Sequence, residues 1–189
     1  MVEQFPCGGI TEICGDVSSG KTAVAYAIIA AALRAGGFVA WIDVSNMFDP
    51  RFAREAGIDV DRVLWVAPVD DVAAVRAAEH VLDAGGFRVV VLDLAGRGAP
   101  GRSRLSMAAW WRINRAAALR HAAIIVLDAV RSVGTFAMMS LEISADRRVF
   151  AGEGGPCPSF EGTASCVRVR KLKGGSLPDQ PLSLFSTKG

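Results

Sequence analysis

Eight consecutive residues, Gly15-Asp16-Val17-Ser18-Ser19-Gly20-Lys21-Thr22, satisfy the pattern G-x-x-x-x-G-K-[ST] at every fixed position. Glycines at both ends let the backbone curl so that successive N–H groups converge on one point. A chain of phosphate oxygens is the ligand such a nest accepts. Gly15, Ser18, Ser19 and Gly20 line the expected cradle. Lys21 then reaches the β- and γ-phosphates, and the Thr22 hydroxyl ligates Mg²⁺. A second metal ligand is expected at Asp93, which closes the apolar run Val89-Val90-Val91-Leu92 and contacts Mg²⁺ directly or through water. Asp43 closes Trp41-Ile42-Asp43 near the same edge, and for it a metal role and a structural role stand level. The chemistry implied is binding of ATP or ADP with Mg²⁺.

These groups need a parallel sheet to bring them together. Short β-branched runs alternate with longer Ala/Leu/Arg segments, the pattern of an α/β fold with a mostly parallel sheet flanked by helices. Strands are expected at Gly9–Cys14, Phe38–Val44, Val63–Val66, Phe87–Leu94 and Ala122–Leu127. Helices are expected at Lys21–Arg34, Pro50–Ala56, Val72–Ala84 and Arg104–Arg120. Asp49 is placed as the N-cap of the second helix, with Pro50 in its first turn. Beyond Met138 the runs Ser140–Ser144, Val167–Leu172 and Leu182–Phe185 read as antiparallel strands added at one edge. Residues 1–189 read as a single domain.

The composition closes off other classes. With 51% hydrophobic and 21% charged residues the chain is neither disordered nor fibrous. The longest apolar stretch, Ala23 to Leu33, is about half of a membrane span. Cys7, Cys14, Cys157 and Cys166 lack metal-ligand spacing and read as reduced thiols. His80 and His121 read as residues without a chemical role.

The segment from Gly8 to Thr22 resembles the strand and nucleotide loop of the RecA recombinases' ATPase core, and Ile42-Asp43-Val44-Ser45-Asn46-Met47-Phe48-Asp49-Pro50 resembles the family's segment ending in Asp-Pro. The similarity runs with gaps to about Lys173. It implies a RecA-like fold, with Asp49 binding adenine and Phe52 stacking on it. A place in the protein core is the equal alternative for Phe52. It also implies the absence of the recombinases' N-terminal polymerisation segment and C-terminal DNA-gathering domain.

Two departures bear on catalysis. Ser45 occupies the place of the glutamate that activates the attacking water, and Ala129 that of the glutamine that senses the γ-phosphate. No catalytic residue is therefore assigned, and nucleotide binding is expected to be weak or lost. The DNA-binding loops look shortened, to Gly96–Ser103 and to Val133-Gly134-Thr135-Phe136. This combination resembles ImuA, a family of accessory proteins. The resemblance implies a non-recombinase role in SOS-induced translesion mutagenesis. Its implied partners are RecA recombinase, a Y-family polymerase homologue (ImuB-like) and an error-prone replicative polymerase, with DNA contact weak or indirect. The implied location is cytoplasmic, on the nucleoid after damage. An active DNA-dependent ATPase or recombinase paralogue is the alternative, with Glu12, Asp43 or Asp128 as the base.

Other features carry two readings each. Lys171 and Lys173, in the basic run Val167–Lys173, reach a neighbouring subunit's nucleotide as in RecA filaments, or they simply keep an edge strand soluble. Arg97, Arg102 and Arg104 contact DNA phosphates or are solvated. Trp110 and Trp111 project about 100° apart on a helix, so one of them faces away from the core.

Overall fold

The computed structural model describes residues 6–95, 105–151, 159–175 and 182–187, with 147–151, 159–163 and 182–187 described by their backbone alone. Strands β1 (Ile10–Cys14), β2 (Phe38–Asp43), β3 (Val63–Val66), β4 (Phe87–Asp93), β5 (Ala123–Asp128), β6 (Ala137–Ala151), β7 (Ser159–Leu172) and β8 (Leu182–Thr187) form one sheet. Helices α1 (Lys21–Arg34), α2 (Pro50–Glu55), α3 (Asp71–Ala84) and α4 (Met107–Arg120) flank it. The strand order is β3-β2-β4-β5-β1-β6-β7-β8.

Strands β1 to β5 are mutually parallel, as the sequence predicts. One expectation is corrected: β6 is not an antiparallel addition. It runs parallel to β1, with Ser140 opposite Glu12, and only its other edge pairs antiparallel with β7. Strand β8 pairs antiparallel with β7. The pairing with β1 explains why β6 alternates so little in its first half, since Met139, Ser140, Leu141 and Ile143 are all buried.

The sheet separates two apolar layers. Residues Ile42, Val90, Leu92, Ile124 and Val126 pack against α3 and α4, including Trp110 and Ile113. Residues Val39, Trp41, Val89, Val91, Ile125 and Leu127 face α1 and α2, where Tyr26, Ile29 and Phe48 meet them. The strict alternation in Val89-Val90-Val91-Leu92 is what lets one strand serve both layers. Buried side chains of this size contribute roughly 1.5–3 kcal/mol each.

Local signals set the helix ends. Asp49 caps α2, accepting from the N–H groups of Arg51 and Phe52 at 2.8 and 3.4 Å. Asp70 caps α3 through Ala73 N–H, and Ser106 caps α4 through Ala109 N–H. Helix α4 thus opens at Met107 rather than at Arg104, which lies outside the described residues together with Arg97, Arg102 and Cys157. No helix among the described residues is long and apolar enough to cross a membrane.

Candidate nucleotide-binding site

The loop from Gly15 to Thr22 leaves β1 at the carboxyl edge of the sheet and runs straight into α1. Neighbouring strands wall it in. A Cβ on Gly15 would lie 2.2 Å from the Ile143 carbonyl oxygen of β6 and 2.7 Å from Ser19 Oγ. Gly20 has φ +95°, and a Cβ there would approach Ser165 Oγ of β7 to 2.7 Å. Ser165 Oγ in turn donates to Ser19 O at 2.7 Å. Gly15 is therefore required by space, against a backbone carbonyl, and Gly20 by its backbone conformation.

Helix α1 has no side-chain cap and no acidic residue in its first turn, so its leading N–H groups and the positive end of its dipole are left for an anion. Ser19 Oγ is buried without a hydrogen-bond partner. An orphaned hydroxyl beside uncapped N–H groups fits a phosphate. Lys21 Nζ is buried and donates to the loop's own carbonyls, Gly15 O at 3.0 Å and Asp16 O at 3.1 Å. An arriving phosphate must compete with those two oxygens. Thr22 is exposed at the first turn, and the Ser18 backbone sits at φ 63°.

Asp93 and Asp43 lie opposite each other in the β2–β4 register. Their surroundings differ. Asp43 is fully buried and accepts from Ser45 N–H at 3.1 Å and Phe48 N–H at 2.7 Å, which fixes the turn between β2 and α2. These two bonds give Asp43 a structural task in that turn. Asp93 accepts from Ala95 N–H at 3.1 Å. Burial, reinforced by the Asp43 charge, pushes its carboxyl up to about 7, while Ala95 N–H and Lys21 pull the other way. A bound cation would replace the missing positive charge. No group of three His, Cys, Asp or Glu among the described residues could hold a metal alone. Mg²⁺ here would take Thr22 and Asp93 and complete its shell with phosphate oxygens and water.

The other carboxylates are engaged. Glu12 is fully buried and accepts from Ser132 N–H, from Val133 N–H at 2.7 Å and from Ser140 Oγ at 2.9 Å, with Arg131 Nε 3.7 Å away. Asp128 accepts from Ala129 N–H at 2.7 Å, and burial raises its carboxyl above the usual range. Ser45 Oγ donates to Ala95 O, the backbone just past Asp93. Burial raises the Cys14 thiol to about 11, so it stays protonated, and its Sγ donates to Leu141 O.

The outlying candidates scatter. Phe52 is 41% exposed, its ring 5.9 Å from Tyr26 and tilted by 41°. It edges an aromatic cluster with Tyr26, Trp41 and Phe48 rather than filling the core. Lys171 Nζ donates to Gly134 O at 2.8 Å and Thr135 O at 3.2 Å of its own chain. Lys173 is exposed. Trp110 is buried, and Trp111 is the tryptophan that faces outward. Ser165, nearly 150 residues from the loop it supports, carries no sequence signal of that role.

The family model described as RecA N-terminal domain matches residues 2–103. Protein RecA of Corynebacterium pseudotuberculosis is 42% identical over 89 residues, which cover 47% of this chain and 24% of that protein. Protein RecA of a Nocardioides species is 40% identical over 89 residues, 47% of this chain and 25% of that one. The matched segment thus spans about a quarter of those relatives. The crystal structure of the RadB recombinase superposes with a TM-score of 0.67 at 16% identity, covering 96% of this chain and 87% of the other. At that identity the likeness is one of fold.

Proposed function

The chain belongs to the RecA N-terminal domain family, and we propose that within it this protein is a non-recombinase accessory factor whose nucleotide site binds but hardly turns over. The observation that carries this reading is Ser45. It stands where the resemblance puts the water-activating glutamate, and its hydroxyl is spent on Ala95 O.

The residues present perform the binding half of the chemistry. The N–H groups at the head of α1 and Ser19 Oγ receive phosphate oxygens, and Lys21 adds charge once it leaves Gly15 O and Asp16 O. Bound Mg²⁺ would neutralise phosphate charge, held by Thr22 and by Asp93 after loss of its proton. Hydrolysis further needs a base that orients and deprotonates water, a step typically worth about 10²–10⁴-fold. Both carboxylate oxygens of Asp43 already accept from backbone N–H groups, and those of Glu12 from two backbone N–H groups and the Ser140 hydroxyl. Ala129 offers no group to sense a γ-phosphate.

The retained loop with the lost base supports an ImuA-like role in damage-induced translesion mutagenesis, exerted through RecA recombinase, a Y-family polymerase homologue and an error-prone replicative polymerase. The intact loop and Asp93 favour the second reading, an active DNA-dependent ATPase. Calorimetry with ATP, ADP and Mg²⁺, run beside phosphate release with and without single-stranded DNA, separates the two. Weak binding lost in Lys21→Ala, with little turnover in either protein, is expected. Turnover of several per second, stimulated by DNA and lost in Lys21→Ala, would establish the enzyme. Affinity capture from damaged cells tests the partners, and recovery of neither RecA nor a polymerase homologue overturns that assignment.

A further inference from the structure

Helix α4 turns Trp110 into the core and thereby turns Trp111 out. Met107, Trp111, Arg115 and Leu119 recur every fourth residue, so they share one face of that helix. Met107 is 74%, Trp111 52% and Leu119 70% exposed. Between this face and α3 lies a groove of about 440 Å³, with Trp111 and Leu119 on its apolar side. Large apolar side chains gathered along a groove are a partner's footing rather than ordinary surface scatter.

The charges around the groove choose the partner. Arg112 is already paired with Glu79 of α3 at 2.6 Å, and Arg120 donates to the Asp83 carbonyl oxygen at 2.8 Å. These two contacts fix α4 against α3. With the Asp83 carboxylate also in the lining, three arginines face two acids and the groove carries one net positive charge. Arg115 has a different role. Its guanidinium lies 5.3 Å over the Trp111 ring, and among the described residues no carboxylate pairs with it. It is a cation held in place on an aromatic floor, at the rim of an apolar slot. Trp and Arg in that arrangement are the residue types that dominate binding energy at protein interfaces. A carboxylate arriving there pairs with a pre-positioned guanidinium, whereas a basic segment meets Arg115 head-on.

We propose that the α3–α4 groove docks a short segment of a partner protein in which a leucine or aromatic side chain neighbours an aspartate or glutamate. The hydrophobic side chain would lie against Trp111 and Leu119, and the carboxylate on Arg115. This site is on the opposite layer of the sheet from α1 and stands whether or not the nucleotide loop is active.

The test uses the full chain and a phage-displayed library of random 12-residue peptides. Selected clones should be enriched in Leu, Phe or Trp beside Asp or Glu. As synthetic peptides they should lose at least about ten-fold in affinity on Arg115→Glu and on Trp111→Ala, and weaken as salt rises. Arg115→Lys should keep much of the binding. Both sites are exposed, and thermal melting of each variant confirms that the fold is retained. Four results would overturn the proposal: no clones, clones dominated by basic residues, affinity unchanged in both variants, or competition by single-stranded DNA. A concentration-dependent dimer dissolved by Trp111→Ala would assign the face to a second copy and overturn it equally.

Discussion

Asp93 shows how one residue reports on its surroundings. Its carboxyl is held near 7 against an unfolded value of 3.8. The folded state therefore binds the proton more tightly, and between about pH 4 and pH 7 stability falls as pH rises. Asp93→Asn removes the buried charge and should flatten that slope, raising the melting temperature at pH 8 by on the order of 2–4 °C while changing little at pH 4. Melting curves across pH check this, and equal shifts at both ends would dismiss it. The glycines give a second comparison. Gly15 and Gly36 are both single-atom positions, but a Cβ on Gly15 meets the Ile143 carbonyl whereas one on Gly36 meets nothing within 4 Å. Gly36→Ala should cost about 1 kcal/mol, through its φ of +89° alone. Gly15→Ala should cost more, roughly 1–3 kcal/mol, and should distort the loop. Denaturant unfolding of the two variants measures the difference. The motif itself was readable from residue types because a phosphate nest needs glycine at fixed places. Ser165 was unreadable, since its service to Ser19 depends on two strands meeting that lie far apart in the chain.

At the scale of elements, the connection from β5 to β6 is the unusual part. Parallel strands are ordinarily joined through a helix. Here residues 129–136 cross over β1 with no more helix than the 3-10 turn Gly134–Phe136, and Glu12 of β1 holds them through Ser132 and Val133. Glu12→Ala should leave those N–H groups unpartnered and cost on the order of 3 kcal/mol. Ser140→Ala, which removes one of several partners, should cost about 1 kcal/mol. Equal losses in unfolding experiments would mean that the carboxylate is not the anchor. The start of α2 was legible in the sequence because Asp49 caps it locally, whereas the caps Asp70 and Ser106 went unread and the sequence pattern opens α4 three residues early, at Arg104 rather than Met107. The direction of β6 was not legible either. A run such as Met139–Ile143 looks the same in either sense, and only its partner β1 decides. Glu12 likewise reads as a spare base until its neighbours are known.

Across the whole molecule, the sheet grades from a doubly covered middle to an open edge. Strand β4 sits between β2 and β5 with helices on both faces, whereas β3 has a single neighbour and exposes Leu64 and Trp65. Amide hydrogen exchange should be slowest in β4, β5 and β1 and markedly faster in β3. Uniform protection across the sheet would contradict this grading. The overall α/β order was visible from alternating patterns alone, because periodicity is a property of neighbours in sequence. The same order has a consequence for how the chain comes into being. The loop Gly15–Thr22 leaves the ribosome well before its walls, Ile143 and Ser165, and before β5 and β6, between which its strand lies. A nascent chain halted before residue 165 would carry the whole motif and no finished cradle. Occupancy of that cradle would then certify that synthesis had reached Ser165 of β7, 146 residues after Ser19 of the loop itself was made.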